Sequence, residues 1–160
     1  MAEPTLLAQI RLSFAGAGQV EQAVAARIGR RPRRMGRFVQ LALAGAIDCV
    51  AQIGRLPREA GLVIASNAGV WPELEPLLAR LFEHADPPTP YEFLAVQETS
   101  ACIAIASQFD IHGPCLFVAA HPAAIATACE MLLLDAPLLL VGAIDPWVSD
   151  WKIISAARPG

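Results

Sequence analysis

Residues Met35–Gly69 read MGRFVQLALAGAIDCVAQIGRLPREAGLVIASNAG, and this stretch decides the fold. Phe38, Leu41, Ala42, Ile47 and Val50 recur near helical spacing, which predicts a helix over Met35–Ile53. That helix is apolar on nearly every side, so it is expected to be buried. A turn at Leu56–Pro57 leads into GLVIASNAG, a short apolar run bounded by glycines. Such a run reads as a central strand feeding a Gly/Asn-rich loop. A buried helix followed by a buried strand is the unit from which α/β domains are built.

The flanking segments extend the alternation. Upstream, Leu6–Phe14 alternates loosely and predicts a first strand, and Gln19–Ile28 predicts a short helix closed by Gly29. Downstream, Pro72 opens the helical stretch PELEPLLARLFEH, with Pro76 near its first turn. The Pro87–Pro90 link follows, and the pattern from Phe93 to Phe109 predicts one helix. GPCLFVAA reads as a third strand, Ala123–Leu134 as a helix, PLLLVGAI as a fourth strand and Asp150–Ile154 as a short fifth. The order points to a single three-layer α/β domain over residues 1–160 with a largely parallel sheet.

Composition narrows the class. The 160 residues are 55% hydrophobic and 17% charged, with mean hydropathy +0.46. Intrinsic disorder needs the opposite balance and is excluded. The apolar excess exceeds what one small core normally buries, which raises the expectation of a partner subunit. The longest apolar run, Leu132–Ile144, contains Asp135 and Pro137 and falls short of the about 20 residues of a membrane span. The N-terminal stretch carries an acid before its apolar residues and does not read as a signal peptide. Cys49, Cys102, Cys115 and Cys129 form no CxxC pair, so neither a zinc site nor a disulfide framework is indicated. A reduced, cytoplasmic protein without metal or cofactor is expected.

The net charge of −3 conceals an asymmetry: residues 1–60 hold nine Arg against four acids, and residues 61–160 hold three bases against eleven acids. Arg27, Arg30, Arg31, Arg33, Arg34 and Arg37 make up most of the positive end. Such a cluster attracts phosphates or acidic partners, or serves as a solvated face.

Catalytic signals are weak. GAGQVE at Gly16–Glu21 follows a strand, but Glu21 stands where a dinucleotide fingerprint needs its third glycine. Cys49 and Cys102 lie inside helices, Cys129 well past a helix start and Cys115 at the opening of a strand, so structural burial accounts for all four. Among His84, His112 and His121, only His121 stands where a strand end meets a helix start.

Four collinear segments carry a resemblance. They are RRMGRFVQLALAGAIDCV (33–50), GLVIASNAGVWPELE (61–75), FLAVQETSACIAIASQFDIHGPCLFVAA (93–120) and LLLDAPLLLVGAIDPW (132–147). Together they resemble the N-terminal half of β-ketoacyl synthases, of the thiolase-like superfamily, in order and near-family spacing. The resemblance implies half of a thiolase-like unit: a five-stranded mixed sheet of order 3-2-4-5-1, the last strand antiparallel, with helices on both faces. It also departs from the family. Counting from Gly113–Pro114, the nucleophilic cysteine falls on Pro122, beside His121. The chain stops where the family's first half stops, so the histidine pair of the second half is not expected here.

Three functions follow. The first is a non-catalytic ketosynthase-like subunit, similar to chain-length factors or scaffolds, in fatty-acid, polyketide or aryl-polyene pigment biosynthesis. The second is an acyl-transfer enzyme with a site rebuilt around Cys115 or His121. The third is a small-molecule- or nucleotide-binding α/β module using the arginine cluster and the glycine turn. The first implies no ketosynthase activity by the chain alone, and a homodimer or a heterodimer with a full-length ketosynthase. Cys115, Leu116, Phe117 and Val118, on an edge strand with no lysine or internal proline, are the expected interface. Arg31, Arg33, Arg34 and Arg37 are the expected contact for an acyl carrier protein. No nucleic acid partner is expected.

Overall fold

The computed structural model describes residues 4–119 and 122–156. Five strands, β1 (Thr5–Ser13), β2 (Gly61–Ala65), β3 (Cys115–Val118), β4 (Leu138–Asp145) and β5 (Val148–Ser155), form one sheet. The helices are α1 (Ala17–Ile28), α2 (Arg37–Ala51), α3 (Trp71–His84), α4 (Pro90–Ala95), α5 (Thr99–Phe109) and α6 (Pro122–Leu132). The sheet order is β1-β5-β4-β2-β3, the order 3-2-4-5-1 read from the opposite edge. β2 pairs parallel with β3 and β4, whereas β5 runs antiparallel to both β4 and β1. This is the mixed α/β sheet that the resemblance implied.

Every residue of β2 is buried, because helices cover both faces at the centre of the sheet. Leu62, Ile64, Leu140, Ile144, Trp151 and Ile153 face the larger core, which α2 fills with α1 and α5 beside it. Val63, Ala65, Leu139, Val141 and Ile154 face the smaller core under α6. The connections from β1 to β2 and from β2 to β3 run over the α2 face. The return from β3 to β4 runs over the α6 face, as right-handed crossovers demand when the direction of travel reverses. On the α6 side of β1 and β5, Arg11 pairs with Asp150 at 2.9 Å.

Two glycines let α2 and the sheet close around Trp151, which is fully buried. A Cβ on Gly45 would sit 2.3 Å from the Trp151 ring, and one on Gly142 would sit 2.5 Å from it. The indole N–H donates to Ser149 Oγ at 2.9 Å, and that hydroxyl donates to the Leu41 carbonyl at 2.6 Å. The buried polar atoms are thus satisfied in a chain that ties β5 to α2.

Two expectations need correction. The helix expected over Phe93–Phe109 is two helices, α4 and α5, separated at residues 96–98. Thr89 starts α4 with a capping box: its side chain accepts from Glu92 N, and the Glu92 carboxylate accepts from Thr89 N. The Val96 N–H then bonds back to the Phe93 and Leu94 carbonyls, and Ser100 Oγ also donates to the Leu94 carbonyl. The turn therefore tightens and closes instead of continuing. The fifth strand is also longer than Asp150–Ile154, because antiparallel ladders on both sides recruit Val148, Ser149 and Ser155.

Candidate functional site

Ligands of open α/β sheets bind beyond the carboxyl ends of the parallel strands. Here β2 ends at Ala65, β4 ends at Asp145 and α6 begins at Pro122, so the position matched to the family nucleophile lies at this rim. His121 lies outside the described residues, as does the side chain of Pro122. Ala65, Ser66, Asn67, Ile125, Ala143, Ile144 and Asp145 line a cleft of only about 10 Å³. That volume admits about one water and no acyl chain. Ser66 is buried, and its Oγ accepts from Gly69 N at 2.7 Å, folding the β2–α3 loop back on itself.

The thiols are not poised for attack. Burial pushes Cys49 and Cys102 up to about 11, and it raises Cys129 as well. Cys115 is exposed on the edge strand, yet partial desolvation of its sulfur raises it too. All four are therefore protonated at neutral pH. His112 belongs to a surface cluster in which its Nε2 lies 2.8 Å from Asp110 Oδ1 and 2.9 Å from Arg58 Nη2. His112 and Arg58 hold the Asp110 carboxyl below its usual range. Among the described residues no three His, Cys, Asp or Glu side chains gather as metal ligands.

The structure separates the arginines that the sequence groups together. Arg37, at the start of α2, binds Glu73 of α3 at 2.8 Å and stacks over Trp147 at 4.4 Å. Its side chain is only 18% exposed, so it stands apart from the surface cluster. Arg34 lies over the Tyr91 ring at 4.2 Å and donates to its hydroxyl at 3.0 Å. Arg31 pairs with Glu21. Arg30, Arg31 and Arg33 rim an open cleft of about 370 Å³ floored by Ile28, Pro32 and Met35. The sequence singled out the charges but not this floor. Its signal was the apolar residues interleaved with the arginines after Gly29.

Cys115–Val118 form a sheet edge, because β3 pairs only with β2 among the described strands. The four residues divide by face. The Phe117 ring turns inward and meets Phe38 edge-on at 6.0 Å, and Val118 packs on the α6 core. Cys115 and Leu116 are exposed. Helix α3 and the segment after it expose Trp71, Phe82, Phe93 and Leu94, a surface the sequence reading did not anticipate.

No protein-family profile and no curated protein matches the sequence. Solved structures do. A chain from the ketosynthase (ApeO) in complex with its chain length factor (ApeC) from Xenorhabdus doucetiae superposes with a TM-score of 0.70 at 11% identity. The match covers 99% of this chain and 81% of that one. A type II polyketide synthase complex of acyl-carrier protein with its ketosynthase, AntDE:AntF, gives 0.68 at 11% identity over 96% of this chain. The ishigamide ketosynthase/chain length factor gives 0.63 at 16% identity over 88% of this chain. This chain spans 58% and 46% of the latter two. Its β1-β5-β4-β2-β3 sheet between α2 and α6 therefore has the thiolase-like fold of ketosynthase and chain-length-factor structures.

Proposed function

We propose that this chain is a ketosynthase-like subunit that does not itself condense acyl groups. On this reading it acts as a single domain, as a chain-length factor or scaffold in fatty-acid, polyketide or aryl-polyene pigment biosynthesis in the cytoplasm. The observation that carries the reading is α6: it starts with Pro122, a residue with no nucleophilic group, at the position matched to the nucleophile. The raised thiols support it. The purified chain is expected to show no decarboxylative condensation with acyl and malonyl thioesters, and measurable condensation would refute the reading. Pro122→Cys should not restore activity, since neither His84 nor His112 lines the cleft at the rim of β2 and β4.

The partner on this reading is a full-length ketosynthase or a second copy, paired along β3. An unpaired edge strand with Leu116 39% exposed is a template for strand addition. Because Phe117 packs into its own core, Leu116→Lys is the cleaner test. It should abolish co-purification with a co-expressed ketosynthase while leaving the monomer folded. An acyl carrier protein would meet the exposed Arg31, Arg33 and Arg34, with Arg37 already committed to Glu73. Carrier binding should weaken with salt and vanish when these three become Glu. Unchanged binding would reduce the cluster to a solubility device.

A further inference from the structure

We propose that the cleft between α1 and α2, rimmed by Arg30, Arg31 and Arg33, binds a small soluble phosphate ester with an apolar body. The site shares Arg31 and Arg33 with the carrier-protein contact proposed above, but its ligand is tested on the chain alone without carrier protein, so either reading can fail without the other.

The acids around this region are already engaged. Asp48 takes Arg27 at 2.6 Å, Glu73 takes Arg37 and Glu21 takes Arg31. With Arg31 taken by Glu21, Arg30 and Arg33 at this cleft have no acid partner among the described residues, and an anion entering it is attracted by both. A planar guanidinium fork can donate two N–H bonds to two oxygens of a tetrahedral phosphate.

The loop is also held in shape before any ligand arrives. Gly29 turns the chain out of α1 at φ 70°, and Pro32 is buried. Arg34 adopts φ 60°, a left-handed conformation unfavourable for a residue with a side chain, and its contacts with Tyr91 hold it there. The Met35 carbonyl accepts from Gln40 Nε2 at 2.9 Å. A solvated arginine face needs none of this. The floor of Ile28, Pro32 and Met35 is apolar, and about 370 Å³ lies within the range of small-molecule sites. An anion alone would leave that floor wet, whereas an alkyl or aryl ester would cover it.

Calorimetric titration of the full chain at low salt with hexyl phosphate, inorganic phosphate and hexanol tests the proposal. Hexyl phosphate should bind about tenfold tighter than inorganic phosphate, the gain from burying roughly two methylenes. Hexanol should bind more weakly than hexyl phosphate. Arg30→Ala and Arg33→Ala should each weaken hexyl phosphate by about tenfold. Arg55→Ala, past the far end of α2, a helix about 22 Å long, should change nothing. Equal affinity for the two phosphates, no heat with either, or undiminished binding by the Arg30→Ala/Arg33→Ala double variant would overturn it. Vesicles of phosphatidic acid in phosphatidylcholine separate the two sources of an alkyl phosphate. The chain should stay in the supernatant, and sedimentation with vesicles that hexyl phosphate does not reverse would assign the arginines to a lipid surface instead.

Discussion

Helices α2 and α3 are nearly equal in length, fifteen and fourteen residues, and are held in opposite ways. Ten residues of α2 are buried, and none of α3 is. α2 exists because the sheet and its neighbouring helices take up its surface, with Gly45 letting it approach Trp151. α3 begins with Pro72 in its first turn, tolerates Pro76, and is held by charge: Arg37–Glu73 at one end and Arg80 to Asp86 and Glu92 at the other. Leu74 and Leu77 of α3 pack only partly against the larger core, and Phe82 is 80% exposed. Apolar content is therefore not the same as burial: α3 and α4 expose Trp71, Phe82, Phe93 and Leu94.

Four substitutions sharpen or break this contrast. Gly45→Val should be the most damaging, costing about 3 kcal/mol or more, because the new side chain must displace Trp151 or the helix. Urea denaturation measures it, and a loss below 1 kcal/mol, on the order of a surface change, would mean that α2 packs more loosely than described. Arg37→Ala comes next, at about 2 kcal/mol, since it removes a mostly buried ion pair and a stacked ring together. Loss of hydrogen-exchange protection in α3 should exceed that in β2, because no residue of α3 is fully buried whereas every residue of β2 is.

Phe82→Ser should leave stability within about 0.5 kcal/mol. A larger loss would show that the exposed face of α3 is structural after all. The smallest effect is at Glu92, whose carboxyl is held down to about 2 by Arg80 first and by Thr89. A depressed carboxylate contributes fully above its ordinary value of 4.5 and loses its contribution as pH falls toward 2. The helicity of residues 91–95, followed by NMR, should therefore decline across that window. In Glu92→Gln it should be lower throughout and insensitive to pH over the same range.

The strands and the buried helix were legible because their patterns report faces. GLVIA reads as buried on both sides, and Gly61–Ala65 is. The break between α4 and α5 was not legible from periodicity, since the apolar spacing runs on through residues 96–98. The capping box that starts α4 was present in the sequence as Thr89, Pro90 and Glu92, a local signal outweighed by the longer pattern. At the rim of β2 and β4, the mismatch at Pro122 could be read residue by residue, but the size of the cleft could not. It depends on how Ile125 of α6 closes against Ala65 and Ala143.

The arginines mark the boundary most clearly. Counting them along the chain establishes a basic N-terminal third. Which of them remain available is a tertiary fact. Arg37 and Glu73 are 36 residues apart, and Arg34 and Tyr91 are 57 apart, so no local pattern predicts that they meet. Only the folded chain brings Glu73 of α3 to neutralise Arg37 and the Tyr91 ring of α4 under Arg34, while Arg30 and Arg33 stay at the cleft floored by Ile28, Pro32 and Met35. Periodicity records which side of an element is dry. The pairing of charges depends on distances that the folded chain alone sets.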